Sequence, residues 1–209
     1  MGHTETSGPA KRQGPRARGA VRSALVAAGV ELARSGGPDA VVLREVTRMV
    51  GVVPNAAYRH FADRDSLLAA VRDEAVRELA GRMTERVSRV RAGAHTPTGA
   101  RLRLQAVGRA YLEFARSEPG LFDTAFAVTG HPAGQGPFEQ LRSALDNLVE
   151  AGILAGARRP NIEYPVWASV HGLAVLLRGP LHSLTEREKT RLESDLLAFI
   201  GASVSQHAR

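Results

Sequence analysis

Apolar residues in this chain recur at steps of three and four, the spacing that puts them on one face of an α-helix. Val21, Leu25, Ala28 and Leu32 follow this rule, and Gly36-Gly37-Pro38 stops the helix they predict. Val42, Val46 and Met49/Val50 mark a short second helix ended by Gly51. Pro54 opens a third, because proline's missing N–H is no loss in a first turn. Asp63 suits the N-cap of a long fourth helix with Leu67, Val71, Ala75, Leu79, Met83, Val87 and Val90 on one face.

The period persists to the C-terminus. Leu104, Val107, Tyr111 and Phe114 share a helix broken by Pro119-Gly120, and Phe122 and Phe126 sit on a shorter one. Residues 130–137 read as a loop from their Gly and Pro content. Phe138, Leu141, Leu145 and Leu148 mark the next helix, and residues 162–178 form an apolar one containing Trp167 and His171. Thr185 with Glu188 is a capping box opening a last helix, whose apolar face carries Leu192, Leu196 and Phe199. No segment alternates with period two for long enough to be a strand. The predicted class is all-α, with about nine helices.

Composition narrows the function. No apolar run is long enough to span a membrane, and the first nineteen residues lack the apolar stretch of a secretory signal. Cysteine is absent, which removes disulfides and fits the cytoplasm. The net charge of +7 is uneven: residues 1–64 hold ten Lys/Arg against five Asp/Glu, so most of the excess lies in the first third. That bias is expected of a segment that touches phosphates, although basic tails also occur without a specific role. Residues 1–19, with Lys11, Arg12, Arg16 and Arg18 among Gly and Pro, read as a disordered basic arm able to make nonspecific phosphate contacts.

Residues 43–61 carry the most informative pattern, two short helices meeting at a glycine turn with Val46, Val50, Val52, Ala57 and Phe61 able to pack inward. This is the logic of a helix-turn-helix, in which a rigidly held second helix reaches base edges. Spacing alone permits an ordinary helical hairpin equally well. The run Arg44-Glu45-Val46, Gly51-Val52, Tyr58-Arg59-His60-Phe61 and Leu67-Leu68 resembles the N-terminal signature of the tetracycline-repressor (TetR) family of bacterial regulators, over residues 20–70. Further on, Phe114-Ala115, Glu118-Pro119-Gly120-Leu121 and Trp167-Ala168-Ser169-Val170-His171-Gly172 are similar to a subgroup with a Trp…His-Gly element in its C-terminal domain.

The resemblance implies a DNA-binding domain at 20–64 and a helical ligand-binding and dimerisation domain at 65–209. It implies that Pro54–His60 enters the major groove, with Asn55, Ala56, Arg59 and His60 near bases. Tyr58 and Arg64 are then expected at phosphates, and Arg44 at the backbone or a base edge. Tyr58 could instead pack on the first helix, and Arg44 could pair with a neighbouring acid. Val53 and Val42 stand where the family commonly has Ser or Thr, so about 0.5–2 kcal/mol of helix capping is missing at each; Val53 could instead touch a thymine methyl. The implied partners are double-stranded palindromic operator DNA, a second copy of the chain joined through the 161–178 and 185–203 helices, and a small-molecule inducer.

Seven of the ten aromatic residues lie between 111 and 167. Tyr111, Phe114, Phe122, Phe126, Phe138 and Trp167, with His171, are the candidates to line an apolar ligand cavity. The same residues would equally fill an ordinary core, with His171 a hydrogen-bonded core histidine. An enzyme is not expected, since His-Glu-x-x-His, Gly-x-Ser-x-Gly and phosphate-loop motifs are absent. The seven histidines are scattered, so neither metal nor cofactor is expected. The alternative to a repressor is a helical protein-interaction or membrane-surface module without specific DNA readout.

Overall fold

The computed structural model describes residues 15–127 and 135–205, with side chains for 19–127 and 136–205. Among these residues no strand occurs, and nine α-helices follow one another: α1 (Pro15–Gly36), α2 (Leu43–Val50), α3 (Pro54–Tyr58), α4 (Arg64–Ser88), α5 (Pro97–Ser117), α6 (Pro119–Phe126), α7 (Gln135–Glu150), α8 (Glu163–Arg178) and α9 (Glu186–Ser205). Single 3-10 turns occur at Pro38–Ala40 and Gly156–Arg158.

Local chemistry sets most of the boundaries. The Ser66 N–H donates to the Asp63 carboxylate at 2.7 Å and the Asp63 N–H donates to Ser66 Oγ at 3.2 Å, closing a capping box on α4. Glu188 and Thr185 exchange the same pair of bonds before α9, at 3.3 and 2.8 Å. Gly51 caps α2 at φ 73°, a left-handed conformation open to glycine at little cost, and this turns the chain sharply into α3.

Three boundaries move from their expected places. Helix α1 begins at Pro15, so residues 15–19 belong to a helix rather than to the arm. Proline is at home in a first turn, and Arg16, Ala17 and Arg18 are good helix formers that outweigh Gly19. Lys11 and Arg12 lie outside the described residues, as do the side chains of Arg16 and Arg18. Helix α7 already includes 135–137 of the expected loop, since Pro137 falls in a first turn where no N–H is needed; residues 128–134 lie outside the described residues. Helix α3, expected to run to His60, ends at Tyr58, where the His60 and Phe61 N–H groups both turn back onto the Ala57 carbonyl, at 2.8 and 2.9 Å.

Helix α4 is the spine. Leu67, Val71, Ala75, Leu79 and Met83 are buried along it, and it packs against α1 at one end and α5, α6 and α7 at the other. Helix α5 is the second central element, contacting α4, α7, α8 and α9. The N-terminal helices and the C-terminal bundle therefore share one continuous core.

Candidate functional site

At the N-terminal end, α3 is held by a few fully buried side chains. Val46 of α2, Ala57 of α3 and Phe61 just beyond it are at most 3% exposed, and Arg22 of α1 stacks over the Phe61 ring at 5.1 Å. The opposite side of α3 faces outward. Val53 is 69% exposed and Tyr58 57%, while Pro54, Asn55 and Arg59 are exposed and Ala56 and His60 half-buried. Tyr58 thus stands in solvent rather than packing on α1. Arg44 is exposed at the start of α2 and forms no ion pair among the described residues, unlike Arg48, whose Nε donates to Glu45 at 2.9 Å. Val42 and Val53 make no side-chain cap bond, as their chemistry requires.

Arg64 is placed differently. Its Nε donates to the Val41 carbonyl at 2.9 Å and an Nη to the Pro38 carbonyl at 2.6 Å, with Asp39 and Asp65 within 4 Å. Two of its nitrogens fasten the 38–41 turn to the start of α4, and the side chain remains 39% exposed.

In the C-terminal bundle, α5, α6 and α8 bring Tyr111, Phe122, Phe126, Trp167 and His171 into one cluster. The Tyr111 ring lies 5.6 Å from Phe122, 5.8 Å from Phe126 and 5.1 Å from Trp167. His171 is stacked on Phe122 at 5.7 Å and meets Phe126 edge-on at 5.1 Å. Phe138 joins through Trp167 at 5.5 Å. Burial pushes the Tyr111 phenol far above its usual range and pushes the His171 imidazole down, so both are neutral at pH 7. The Tyr111 hydroxyl and His171 Nδ1 share a hydrogen bond at 2.7 Å. Phe114 is not part of the group: fully buried, it lies under the Arg82 guanidinium of α4 at 5.1 Å.

The rings largely fill the space between them. An apolar cavity of about 30 Å³ remains beside Tyr111 and Trp167, walled by Met83 of α4, Leu104 and Gly108 of α5, Leu141 of α7, Val170 of α8, and Leu197 and Ile200 of α9. Phe122, Phe126, Phe138 and His171 stand behind Tyr111 and Trp167 rather than at its walls. Drug-sized ligands occupy roughly 300 Å³ or more, so the walls of this cavity must move apart to admit one.

Residues 25–71 match the family described as bacterial regulatory proteins, tetR family, and residues 104–196 match the tetracyclin repressor-like C-terminal domain. The two matches together cover both ends of the shared core. The chain belongs to the TetR family. Its fold is that of solved TetR regulators: one from Pectobacterium atrosepticum is 21% identical, with 94% of this chain and 100% of that one covered at a TM-score of 0.67. A protein of unknown function from Rhodococcus sp. RHA1 is 22% identical over 94% and 98% of the two chains, at a TM-score of 0.68. SmeT, in its complex with triclosan, is 16% identical over 90% and 93%, at a TM-score of 0.61. No curated protein matches the sequence.

One group of charged residues joins segments far apart in the sequence. Arg34, near the end of α1, pairs with Glu118 at the α5–α6 corner and donates to Glu78 of α4 at 3.0 Å; Arg82 of α4 donates to the same two carboxylates at 2.7 Å each. Burial pushes the Glu78 carboxyl up, but hydrogen bonds from Arg82 and Arg34 outweigh it and hold it below the usual range. Four residues from three separate segments tie the DNA-binding helices to the bundle. Only the i, i+4 spacing of Glu78 and Arg82 was visible in the sequence.

Proposed function

We propose that this chain is a transcription repressor that binds palindromic operator DNA as a homodimer in the cytoplasm and releases it when a small apolar, ring-bearing molecule enters the aromatic core. The observation that carries this reading is the outward edge of α3. Asn55, Tyr58 and Arg59 are exposed on a helix locked from behind by Ala57 and Phe61, the arrangement a recognition helix needs to meet base edges without ordering cost. Asn55 and Arg59 are the base-reading candidates, and Arg44 and Tyr58 the phosphate-contacting ones.

The dimer reading is supported by apolar side chains left uncovered on the last two helices. Tyr164, Val175 and Leu176 of α8 and Leu192 and Phe199 of α9 are exposed, Phe199 at 64%. The inward face of α9 is made instead by Leu197, Ile200 and Val204, with Leu196 half-buried against the core, so Leu192 and Phe199 need not serve the protomer's own core. Two copies of α8 and α9 would cover the outward face as a four-helix interface. The ligand reading draws on the aromatic cluster and on SmeT, a protein of the same fold that binds an aromatic molecule. Ten-fold weaker DNA binding would take about 1.4 kcal/mol of coupling between the sites.

Fluorescence-anisotropy titration with the DNA flanking the protein's own gene, with and without aromatic ligands, tests the reading. Saturable, sequence-specific binding that a ligand reverses is expected. Trp167 lines the cavity, so its emission should change with the same ligand concentration dependence. Binding that is indifferent to DNA sequence would overturn the operator assignment.

A further inference from the structure

Exposed large hydrophobic side chains gather in two places among the described residues. Tyr164, Val175, Leu176, Leu192 and Phe199 lie on α8 and α9, the face assigned above to a second copy of the chain. Val42, Met49, Val53 and Tyr58 lie on the helix-turn-helix, and Val53 is the most exposed of all, at 69%. A single apolar side chain in water needs no explanation, but a group of them on a surface that meets a polyanion does.

The members of this second group divide by element. Val42 caps α2 and Met49 lies in its last turn, on the helix that crosses the DNA backbone in this motif. Tyr58 carries a hydroxyl, which suits a phosphate. Val53 immediately precedes α3, whose N-terminal residues reach base edges, and the exposed Pro54 extends its apolar surface. Val53 is also firmly held. Its carbonyl accepts from the Ala56 N–H at 2.8 Å, and a β-branched side chain has few rotamers to lose on binding.

Chemistry restricts what Val53 can touch in a duplex. With neither donor nor acceptor on its side chain, it would strip water from a phosphate or a polar base edge and return no hydrogen bond. The major groove presents one apolar group, the C5-methyl of thymine. We propose that Val53 reads a thymine in each operator half-site by packing its methyls against that C5-methyl. The contact is made by the side chain, not by the N–H groups that open α3. It rests on the operator reading above, and it adds thymine to the adenine and guanine that Asn55 and Arg59 are suited to pair with.

Deoxyuridine in place of thymine removes the methyl and leaves every hydrogen-bonding atom of the base pair intact, so it isolates the contact. The full chain first selects duplexes from a randomised library, which defines its operator. Fluorescence anisotropy then compares that duplex with the same duplex carrying deoxyuridine at every thymine. The parent should bind the deoxyuridine duplex about four-fold more weakly per half-site, about fifteen-fold for two, as expected for one buried methyl at each. Val53→Ala should bind the thymine duplex more weakly, with an unchanged salt slope because no charge is lost, and should distinguish the two duplexes little. Val42→Ala, which shortens the exposed valine of α2, should keep the parent's full discrimination. Equal binding of the two duplexes by the parent overturns the proposal and leaves the operator reading standing. So does a Val53→Ala protein that discriminates as the parent does, since another side chain then reads the methyl. A library from which the parent enriches no sequence overturns both.

Discussion

Gly120, in the first turn of α6, packs so closely on the end of α1 that a Cβ at this position would lie 2.1 Å from the Ala33 carbonyl oxygen. The neighbour is backbone, which cannot swing aside as a long side chain would. Beside it, Arg34 pairs with Glu118 at the same corner. A helix of the bundle and a helix of the DNA-binding domain are thus joined by a contact that only glycine permits.

Gly120→Ala should therefore force α6 away from α1 and destabilise the fold by about 1–3 kcal/mol, as overpacking generally does. Gly81, on α4 with nothing near its Cβ position, is the control: Gly81→Ala should stabilise by about 0.5–1 kcal/mol. Urea melts of the two variants check both signs. A Gly120→Ala protein as stable as the parent would mean that the α1–α6 joint is looser than described.

Around α3, phosphate contacts and structural contacts should separate by salt dependence. Arg44→Ala is expected to weaken binding to every sequence and to lower the log–log salt slope by about 0.9. Tyr58→Phe removes a hydroxyl and no charge, so affinity should fall with the slope unchanged. Asn55→Ala and Arg59→Ala should instead change base preference, by about 1–3 kcal/mol for a good bidentate contact. Arg64→Ala should lower the melting temperature, since its guanidinium holds the Pro38 and Val41 carbonyls. If it also lowers the salt slope by about one unit, the guanidinium leaves those carbonyls for a phosphate on the operator.

The two faces of α9 predict opposite outcomes for one kind of substitution. Phe199→Glu, at a position already 64% exposed, should leave the protomer folded and shift sedimentation velocity from dimer to monomer. Ile200→Glu, at 4% exposure, should unfold the bundle, because a buried carboxylate without a partner is costly. A Phe199→Glu protein that remains dimeric would place the interface elsewhere.

Acid should destabilise the aromatic cluster through His171. Burial lowers its folded pKa below the ordinary 6.5, so the unfolded chain binds a proton first as pH falls. Its contribution is complete above about pH 6.5 and is lost as pH drops through the lower folded value. Protonation also leaves Nδ1 able only to donate in its bond with the Tyr111 hydroxyl. Melting temperature measured against pH should therefore fall less steeply below pH 6.5 in His171→Gln than in the parent; parallel curves would show that the imidazole is not shielded from water.

The sequence by itself determined the helices, because their signals are local. The Asp63 cap, the Thr185 capping box, the Gly51 turn and Pro54 each act within a few residues, and the structure keeps them; of the periodic apolar faces, that of α9 is shifted, with Leu197, Ile200 and Val204 inward and Leu192 and Phe199 outward. It also disclosed the helix-turn-helix, whose residues are contiguous. What lies across segments was decided only by packing. Tyr111 and Phe114 share a turn of α5, yet one faces the aromatic cluster and the other lies under Arg82. Arg64 carries the same charge whether it reaches a phosphate or the Val41 carbonyl 23 residues away. The Arg34–Glu118 pair spans 84 residues, and Arg178 and Glu193 line one cavity only because α8 and α9 pack beside α5. Periodicity tells which face of a helix is buried, but the identity of the side chain opposite depends on where another helix lands, and that is settled by the whole core at once.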